Sequence, residues 1–130
     1  MYVQAQMYDL TKLAAVGSGV LGCWLITAPF VFGTLAVGRW NDVLVGTAIA
    51  LAAGHNYASV ARGRPASAIG AALVAVLGCW LVVAPFVLEL EGVALWNDVA
   101  AGTVVAGFGS YNAYVASVIG DERPFRVTAE

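Results

Sequence analysis

The chain has 130 residues, of which 61% are hydrophobic and 11% are charged, and its formal net charge at pH 7 is -2. A soluble domain of ordinary composition carries about 25% charged residues, so this chain has too few polar side chains to cover a water-soluble fold of its length. The composition therefore predicts a membrane protein. The net negative charge and the lack of a basic stripe exclude a strongly basic nucleic-acid-binding protein, so no nucleic acid is expected as a partner.

Four charge-free stretches predict four transmembrane helices. An α-helix needs about 20 residues to cross a hydrocarbon core about 30 Å thick, and each stretch is near or above that length. The first stretch is longer than one crossing requires, so its end is predicted to form a loop. It also lacks the basic start of a cleaved signal peptide, and we expect it to be retained. The stretches are residues 13–38, 43–61, 65–88 and 99–120.

Two prolines are expected to shape the first and third helices. Pro29 and Pro85 lie near the ends of these helices. Proline removes a backbone donor and clashes with the preceding turn, so each is predicted to kink its helix or to end it shortly afterwards. Gly33 follows the first proline and favours a break there.

The second and fourth helices are expected to begin at a repeated Trp-Asn-Asp triplet. Asn41 and Asn97 are N-cap candidates, because a side-chain oxygen can accept from the first free N–H groups of a helix. Asp42 and Asp98 would then lie in the first turn, where the helix dipole favours an anion. The tryptophans one residue outside would be aromatic anchors at the membrane interface; they are Trp40 and Trp96.

Small residues recur every four positions along the helices. This spacing keeps them on one face, and such faces let membrane helices approach closely. The pattern predicts a compact bundle, although the same faces could equally contact other chains. The positions in the second and fourth helices are Gly46, Ala50, Gly54, Gly102 and Ala106, with Ala58 and Ser110 continuing the two stripes.

An internal repeat with a constant offset of 56 residues organises the chain. LGCWL at residues 21–25 returns at 77–81, APFV at 28–31 returns at 84–87, and WNDV at 40–43 returns at 96–99. Each unit is one helix pair, and two crossings return the chain to the side where it started. The two units are therefore parallel repeats, related by a pseudo-two-fold axis along the membrane normal. The predicted segments are an N-terminal segment (1–10), the first repeat (11–60), a loop (61–65), the second repeat (66–120) and a C-terminal tail (121–130).

These repeated motifs resemble the SPW repeat of small bacterial and archaeal membrane proteins. The hallmark of that family is Ser-Pro-Trp late in the first helix of a pair and Trp-Asn at the start of the second. Here the first motif reads APF at residues 28–30 and 84–86, so the proline alone is kept, whereas both Trp-Asn pairs match. The resemblance extends from about residue 16 to residue 114. It implies two helix pairs in a membrane, and it carries no catalytic residue over to this chain.

The distribution of basic residues predicts the orientation. Lys and Arg mark the cytoplasmic side of a membrane protein, and in a four-helix arrangement Arg39 alone lies on the opposite side. Both termini and the loop at 61–65 are therefore expected in the cytoplasm of a prokaryote, with the chain in its inner membrane. The basic residues on the cytoplasmic side are Lys12, Arg62, Arg64, Arg123 and Arg126.

Two groups of residues could hold a cofactor. Cys23 and Cys79 are equivalent in the two repeats, and the pseudo-two-fold could bring them together as a redox or metal pair. Free cysteine also behaves as a small apolar residue, and a thiolate is disfavoured within a bilayer, so packing is the favoured interpretation. His55 could ligate a haem iron or a chlorin magnesium. Its neighbour Asn56 and the equivalent Asn112 favour a polar seam between helices instead.

Asp42 and Asp98 are the acidic residues closest to the membrane. Intramembrane carboxylates are functional candidates by default, and two symmetric ones could line a cation path. Helix capping at a water interface explains both residues as well, and Arg39 could pair with Asp42. Capping is the interpretation that the sequence favours.

The sequence favours a membrane protein without enzymatic activity. We expect a structural or accessory subunit that packs in lipid against other membrane chains or against copies of itself. The alternatives are a small channel or transporter, and a cofactor-binding or redox protein that uses His55 or the cysteine pair. The sequence does not define a cofactor.

Overall fold

A computed structural model describes the backbone of residues 2–129 and the side chains of residue 6 and residues 9–118. All regular structure within these residues is helical. The four helices are α1 (Tyr2–Phe32), α2 (Ala36–Ala61), α3 (Ala68–Val87) and α4 (Gly92–Ala129). The predicted all-α class with four helices is confirmed.

Three helices among the described residues are long and apolar enough to span a membrane. They are Asp9–Phe32 within α1, Ala36–Ala61 and Ala68–Val87. The fourth helix contains the charge-free stretch at residues 99–120 and continues into the polar tail. The chain is therefore a membrane protein by its helices as well as by its composition.

The helices pack as two pairs that reproduce the sequence repeat. α1 lies along α2 and α3 lies along α4, whereas the pairs meet through α1 with α4 and α2 with α3. The centre of the bundle is filled by side chains of equivalent positions: Leu25 and Leu81 are fully buried, as are Ile49 and Val105. Each repeat thus contributes half of one shared core.

Glycines let the two helices of each pair approach closely. A Cβ added at Gly22 would lie 2.8 Å from the carbonyl oxygen of Gly46 and 2.9 Å from the backbone nitrogen of Ala50. In the second pair, a Cβ at Gly78 would clash with the backbone nitrogen of Ala106 and lie 2.8 Å from its Cα atom. Gly102 is packed as tightly, since its own added Cβ would lie 2.7 Å from the carbonyl oxygen of Gly78.

Gly54 differs from the other glycines of the predicted stripes. It is exposed, and a Cβ added there would have no atom within 4 Å. The stripe in α2 was predicted as a packing face, but towards the C-terminal end of the helix it leaves the contact with α1, since a side chain added at Gly54 would meet no neighbouring helix.

The first and third helices end in the same way. Pro29 and Pro85 are buried inside α1 and α3, which end three and two residues later, respectively. The chain then turns through Gly33 (φ 63°) or Glu89 (φ 57°), both in the left-handed region. The next amide bonds back to the proline carbonyl, at 2.9 Å in the first repeat and 2.8 Å in the second. This is the 6→1 bond of a Schellman motif.

Candidate functional site

The repeated Trp-Asn-Asp triplet lies inside α2 and α4. Asp42 and Asp98 each lie six residues past the first residue of their helix, which is about 9 Å along the axis. The N-cap prediction for Asn41 and Asn97 is therefore wrong. The N-cap of α2 is Leu35, which makes no side-chain capping bond. The polar triplet suggested a water-exposed helix start, but its asparagine side chains form hydrogen bonds inside the bundle.

Each asparagine accepts a hydrogen bond from the tryptophan of the other repeat. Trp24 Nε1 on α1 donates to Asn97 Oδ1 on α4 at 2.8 Å. Trp80 Nε1 on α3 donates to Asn41 Oδ1 on α2, also at 2.8 Å. An indole N–H can only donate, so the amide oxygen must face it. These two equivalent bonds tie the first helix pair to the second.

The amide nitrogens point at the neighbouring carboxyl groups. Asn41 Nδ2 donates to Asp42 Oδ1 at 3.2 Å, and Asn97 Nδ2 donates to Asp98 Oδ1 at 3.3 Å. The carboxyl groups of Asp42 and Asp98 lie within hydrogen-bonding reach of each other. A line of polar groups therefore runs from one tryptophan to the other through both asparagines and both aspartates, across the pseudo-two-fold axis.

The two carboxyl groups are almost fully buried. Asp42 is 2% exposed and Asp98 is 1% exposed. The Oδ2 atom of Asp98 is buried and has no hydrogen-bond donor. These groups are therefore not the first-turn anions that the sequence favoured; they are buried between the helices.

Arg39 does not supply the expected counter-charge to Asp42. Its Nη2 atom donates to the backbone oxygen of Thr34 at 3.4 Å, and its guanidinium lies 5.5 Å from the ring centroid of Phe30. Within the part of the chain that the structure describes, no Lys or Arg side chain forms an ion pair with either carboxyl group. The carboxyl pair is held by neutral donors.

Trp40 and Trp96 point outwards. They are 64% and 66% exposed, and they lie within α2 and α4, so the prediction that they stand one residue outside the helices is wrong. Their exposure leaves the indole rings available to the surrounding lipid, where amphipathic rings suit the interface.

The candidate cofactor residues lie apart from this polar cluster. Cys23 and Cys79 are free thiols on exposed faces of α1 and α3, so the structure does not bring them together inside the bundle. His55 is exposed on α2. Among the described residues, no group of three or more His, Cys, Asp and Glu side chains could hold a metal ion.

A second polar contact links the repeats at the opposite end of the bundle. Asn56 is buried and its Oδ1 atom accepts from the backbone nitrogen of Ser67 at 3.0 Å, next to the start of α3. The equivalent Asn112 is also buried and its Nδ2 atom donates to the backbone oxygen of Thr11 at 3.3 Å. These are the cross-helix bonds that the sequence suggested for the polar seam.

Sequence reasoning missed Trp24 and Trp80 as members of the cluster. Both belong to the repeated LGCWL motif, which lies on the helix that precedes the triplet in each repeat. A signal was available, because a large aromatic with one N–H group recurs at equivalent positions among small residues. The sequence alone does not reveal which asparagine each indole meets, since the partner lies 73 or 39 residues away.

Comparison with known proteins assigns the chain to a family. No curated protein and no solved structure matches it. A sequence profile described as the SPW repeat domain matches residues 12–112, which include most of both helix pairs and the whole Trp-Asn-Asp cluster. The chain belongs to the SPW repeat domain family.

Proposed function

We propose that this membrane protein is a non-enzymatic structural or accessory subunit, which packs against other membrane chains or against copies of itself. The observation that carries the proposal is the small share of its helices that the bundle covers. In the most apolar 18-residue segment of each of the three candidate membrane spans, 33% of the residues are buried within the chain. The remaining surface is available to lipid and to neighbouring helices.

A groove on the outer face of the first helix pair supports lateral packing. It lies between α1 and α2 and is lined by small residues, among them Gly19, Cys23 and Gly54, together with larger ones such as Val20 and Tyr57. Nothing lies within 4 Å of a Cβ at Gly54. Small residues on a lipid-facing surface let a second helix approach closely and form van der Waals contacts. The groove is wide enough at Gly54 for such an approach.

We propose the prokaryotic inner membrane as the location, with both termini in the cytoplasm. The excess of Lys and Arg at the termini and in the loop between the repeats supports this orientation. In this arrangement α4 crosses the membrane through residues 99–120. The Asp42 and Asp98 pair then lies nearer to the outer side.

The experiment is purification from the native membrane in a mild detergent, with the particle mass measured by light scattering. The protein mass of the particle is expected to exceed 13.4 kDa clearly, either through copies of the chain or through other subunits at fixed stoichiometry. A strictly monomeric particle under gentle conditions would contradict the proposal.

A pair of variants tests whether the groove is the contact. Gly54→Leu fills it without a clash inside the bundle, and we expect the associated mass to be lost while the helical content is unchanged. Val104→Leu enlarges an exposed side chain on α4 and is the matched control. Association that survives Gly54→Leu would place the contact on another face.

A further inference from the structure

We propose that Asp42 and Asp98 form a proton-binding site, in which the two carboxyl groups share one proton on the pseudo-two-fold axis of the bundle. This site is independent of the subunit role proposed above. Its ligand is a proton, and its walls are the neutral amide groups of Asn41 and Asn97.

The orphaned oxygen of Asp98 provides the first argument. Asp98 is 1% exposed, and its Oδ2 atom has no donor. A buried acceptor without a partner costs about 1–3 kcal/mol. The carboxyl of Asp42 lies beside that of Asp98, and a carboxyl can donate only when it is protonated. One proton on the pair provides a donor where the neighbouring amide groups supply none to Asp98 Oδ2.

Charge provides the second argument. Two carboxylates in contact away from water repel each other strongly, and sites of this kind hold one proton between them. No cation of the described residues offsets a double negative charge here, as the geometry of Arg39 shows. With one proton bound, the pair carries a single negative charge, which two amide N–H groups stabilise from either side.

The orientation of the asparagines separates a proton from a metal cation. The indole N–H groups of Trp24 and Trp80 hold the amide oxygens, so the amide N–H groups face the carboxyl pair. Calcium and magnesium require about six or more oxygen ligands. Inward-facing N–H groups supply none and would repel a cation. Two carboxyl groups are sufficient for a shared proton.

The other titratable groups near the pair do not compete for this role. On α2, Arg39 is bonded to the Thr34 carbonyl. Cys23 on α1 and Cys79 on α3 are exposed on the outer surface. Glu89 and Glu91, in the connection between α3 and α4, are also exposed. From α1 and α3 the groups that reach the cluster are the two indoles, which do not titrate.

Infrared spectroscopy of the purified protein in a bilayer tests the site directly. We expect a C=O stretch from a protonated carboxyl group at neutral pH, which shifts downwards in D₂O and is lost in the Asp42→Asn/Asp98→Asn double variant. Glu89→Gln removes an exposed acid and is the matched control, in which the band must remain. Absence of the band in the wild-type protein would overturn the proposal, whether or not the variants fold.

The pH dependence of thermal stability is the second measurement. The folded chain would bind one more proton near neutral pH than the unfolded chain, so its stability must fall as pH rises. Asp42→Asn and Asp98→Asn each replace the O–H donor by an N–H donor, and we expect the Tm of both to lose this dependence. A wild-type Tm that does not change with pH but rises on addition of Na⁺ or Ca²⁺ would instead identify a cation site.

Discussion

At the residue scale, the hydrogen bonds from Trp24 and Trp80 both join the repeats and orient an asparagine amide. Each indole holds the second helix pair to the first, and each fixes which way an asparagine amide faces. The direction of the amide then determines that the carboxyl groups of Asp42 and Asp98 meet donors. The tryptophans therefore position the carboxyl pair without contacting it through their own N–H groups.

Replacing either indole by a ring without a donor tests this role. We expect Trp24→Phe and Trp80→Phe each to lower the free energy of unfolding by about 1 kcal/mol, because the amide oxygen loses its partner while most of the ring packing is kept. Unfolding in mixed micelles measures the change. Trp40→Phe and Trp96→Phe are the controls, since these rings are exposed; losses of equal size in all four variants would contradict the prediction.

The wrong N-cap prediction for Asn41 also has its cause at the scale of single residues. Asparagine and aspartate favour helix starts, and Asn41 with Asp42 fitted that rule. The rule describes helices whose ends are the nearest source of unpaired N–H groups. Here a tryptophan from the other repeat supplies the partner. Only the three-dimensional arrangement brings that indole to the asparagine, so the local pattern could not reveal it.

At the scale of single elements, the two repeats differ most clearly at the end of their first helices. The left-handed turn is made by Gly33 in the first repeat and by the equivalent Glu89 in the second. Glycine adopts this conformation without strain, whereas a residue with a Cβ is disfavoured there by about 1–2 kcal/mol. The second repeat keeps the turn despite this cost, because the bond from Leu90 to the Pro85 carbonyl closes it.

Exchanging residues at this turn has opposite effects in the two repeats. Glu89→Gly should raise the free energy of unfolding by up to about 1 kcal/mol, because it relieves the strain at positive φ. Gly33→Ala should lower it by a similar amount. Thermal unfolding in detergent compares the two, and a Glu89→Ala variant that matches the Glu89→Gly variant would show that the side-chain charge, not the backbone, sets the effect.

Close helix packing gives a second prediction for the elements. Gly78→Ala places a Cβ against the backbone of Ala106, which must push α3 and α4 apart and should cost about 1–3 kcal/mol. Gly107→Ala is the matched control on α4, because its Cβ would have nothing within 4 Å. Alanine favours a helix over glycine by up to about 1 kcal/mol, so this variant should be as stable as the wild type or more so.

The helices themselves were predictable because charge is so scarce in this chain. Charge-free stretches located all four, and the offset of 56 residues paired them correctly. The starts were less accurate: α2 begins at Ala36, well before the first residue of its charge-free stretch. A helix can begin at residues that precede a charged side chain. A search for charge-free, hydropathic stretches does not detect that extension at the start of the helix.

At the scale of the whole molecule, the arrangement of the helices leads to a test of orientation. Single cysteines at Gly33 and Arg64, introduced after Cys23 and Cys79 are replaced by alanine, lie at opposite ends of the bundle. In intact cells we expect an impermeant maleimide to label the cysteine at position 33 and not the one at position 64, because the proposed orientation places the basic loop in the cytoplasm. Labelling at position 64 alone would reverse the proposed orientation.

The architecture of the bundle could be predicted from the repeat, but the carboxyl pair on its pseudo-two-fold axis could not. Equivalent residues fill the core, as Leu25 and Leu81 do, and the repeat alone predicts that symmetry. The meeting of Asp42 with Asp98 depends on how the pairs face each other across the axis. That choice is made by contacts between repeats, which no local pattern encodes.

The exchange of indole bonds between the repeats has a consequence for how such a chain could arise. A single helix pair would carry one tryptophan without an acceptor and one asparagine without a donor, because each finds its partner in the other unit. Two identical pairs around a true two-fold axis would satisfy both at once. The present chain thus has the symmetry of a homodimer whose two units are joined covalently, and we expect a protein with one unit of this kind to associate with a second copy to close the same bonds.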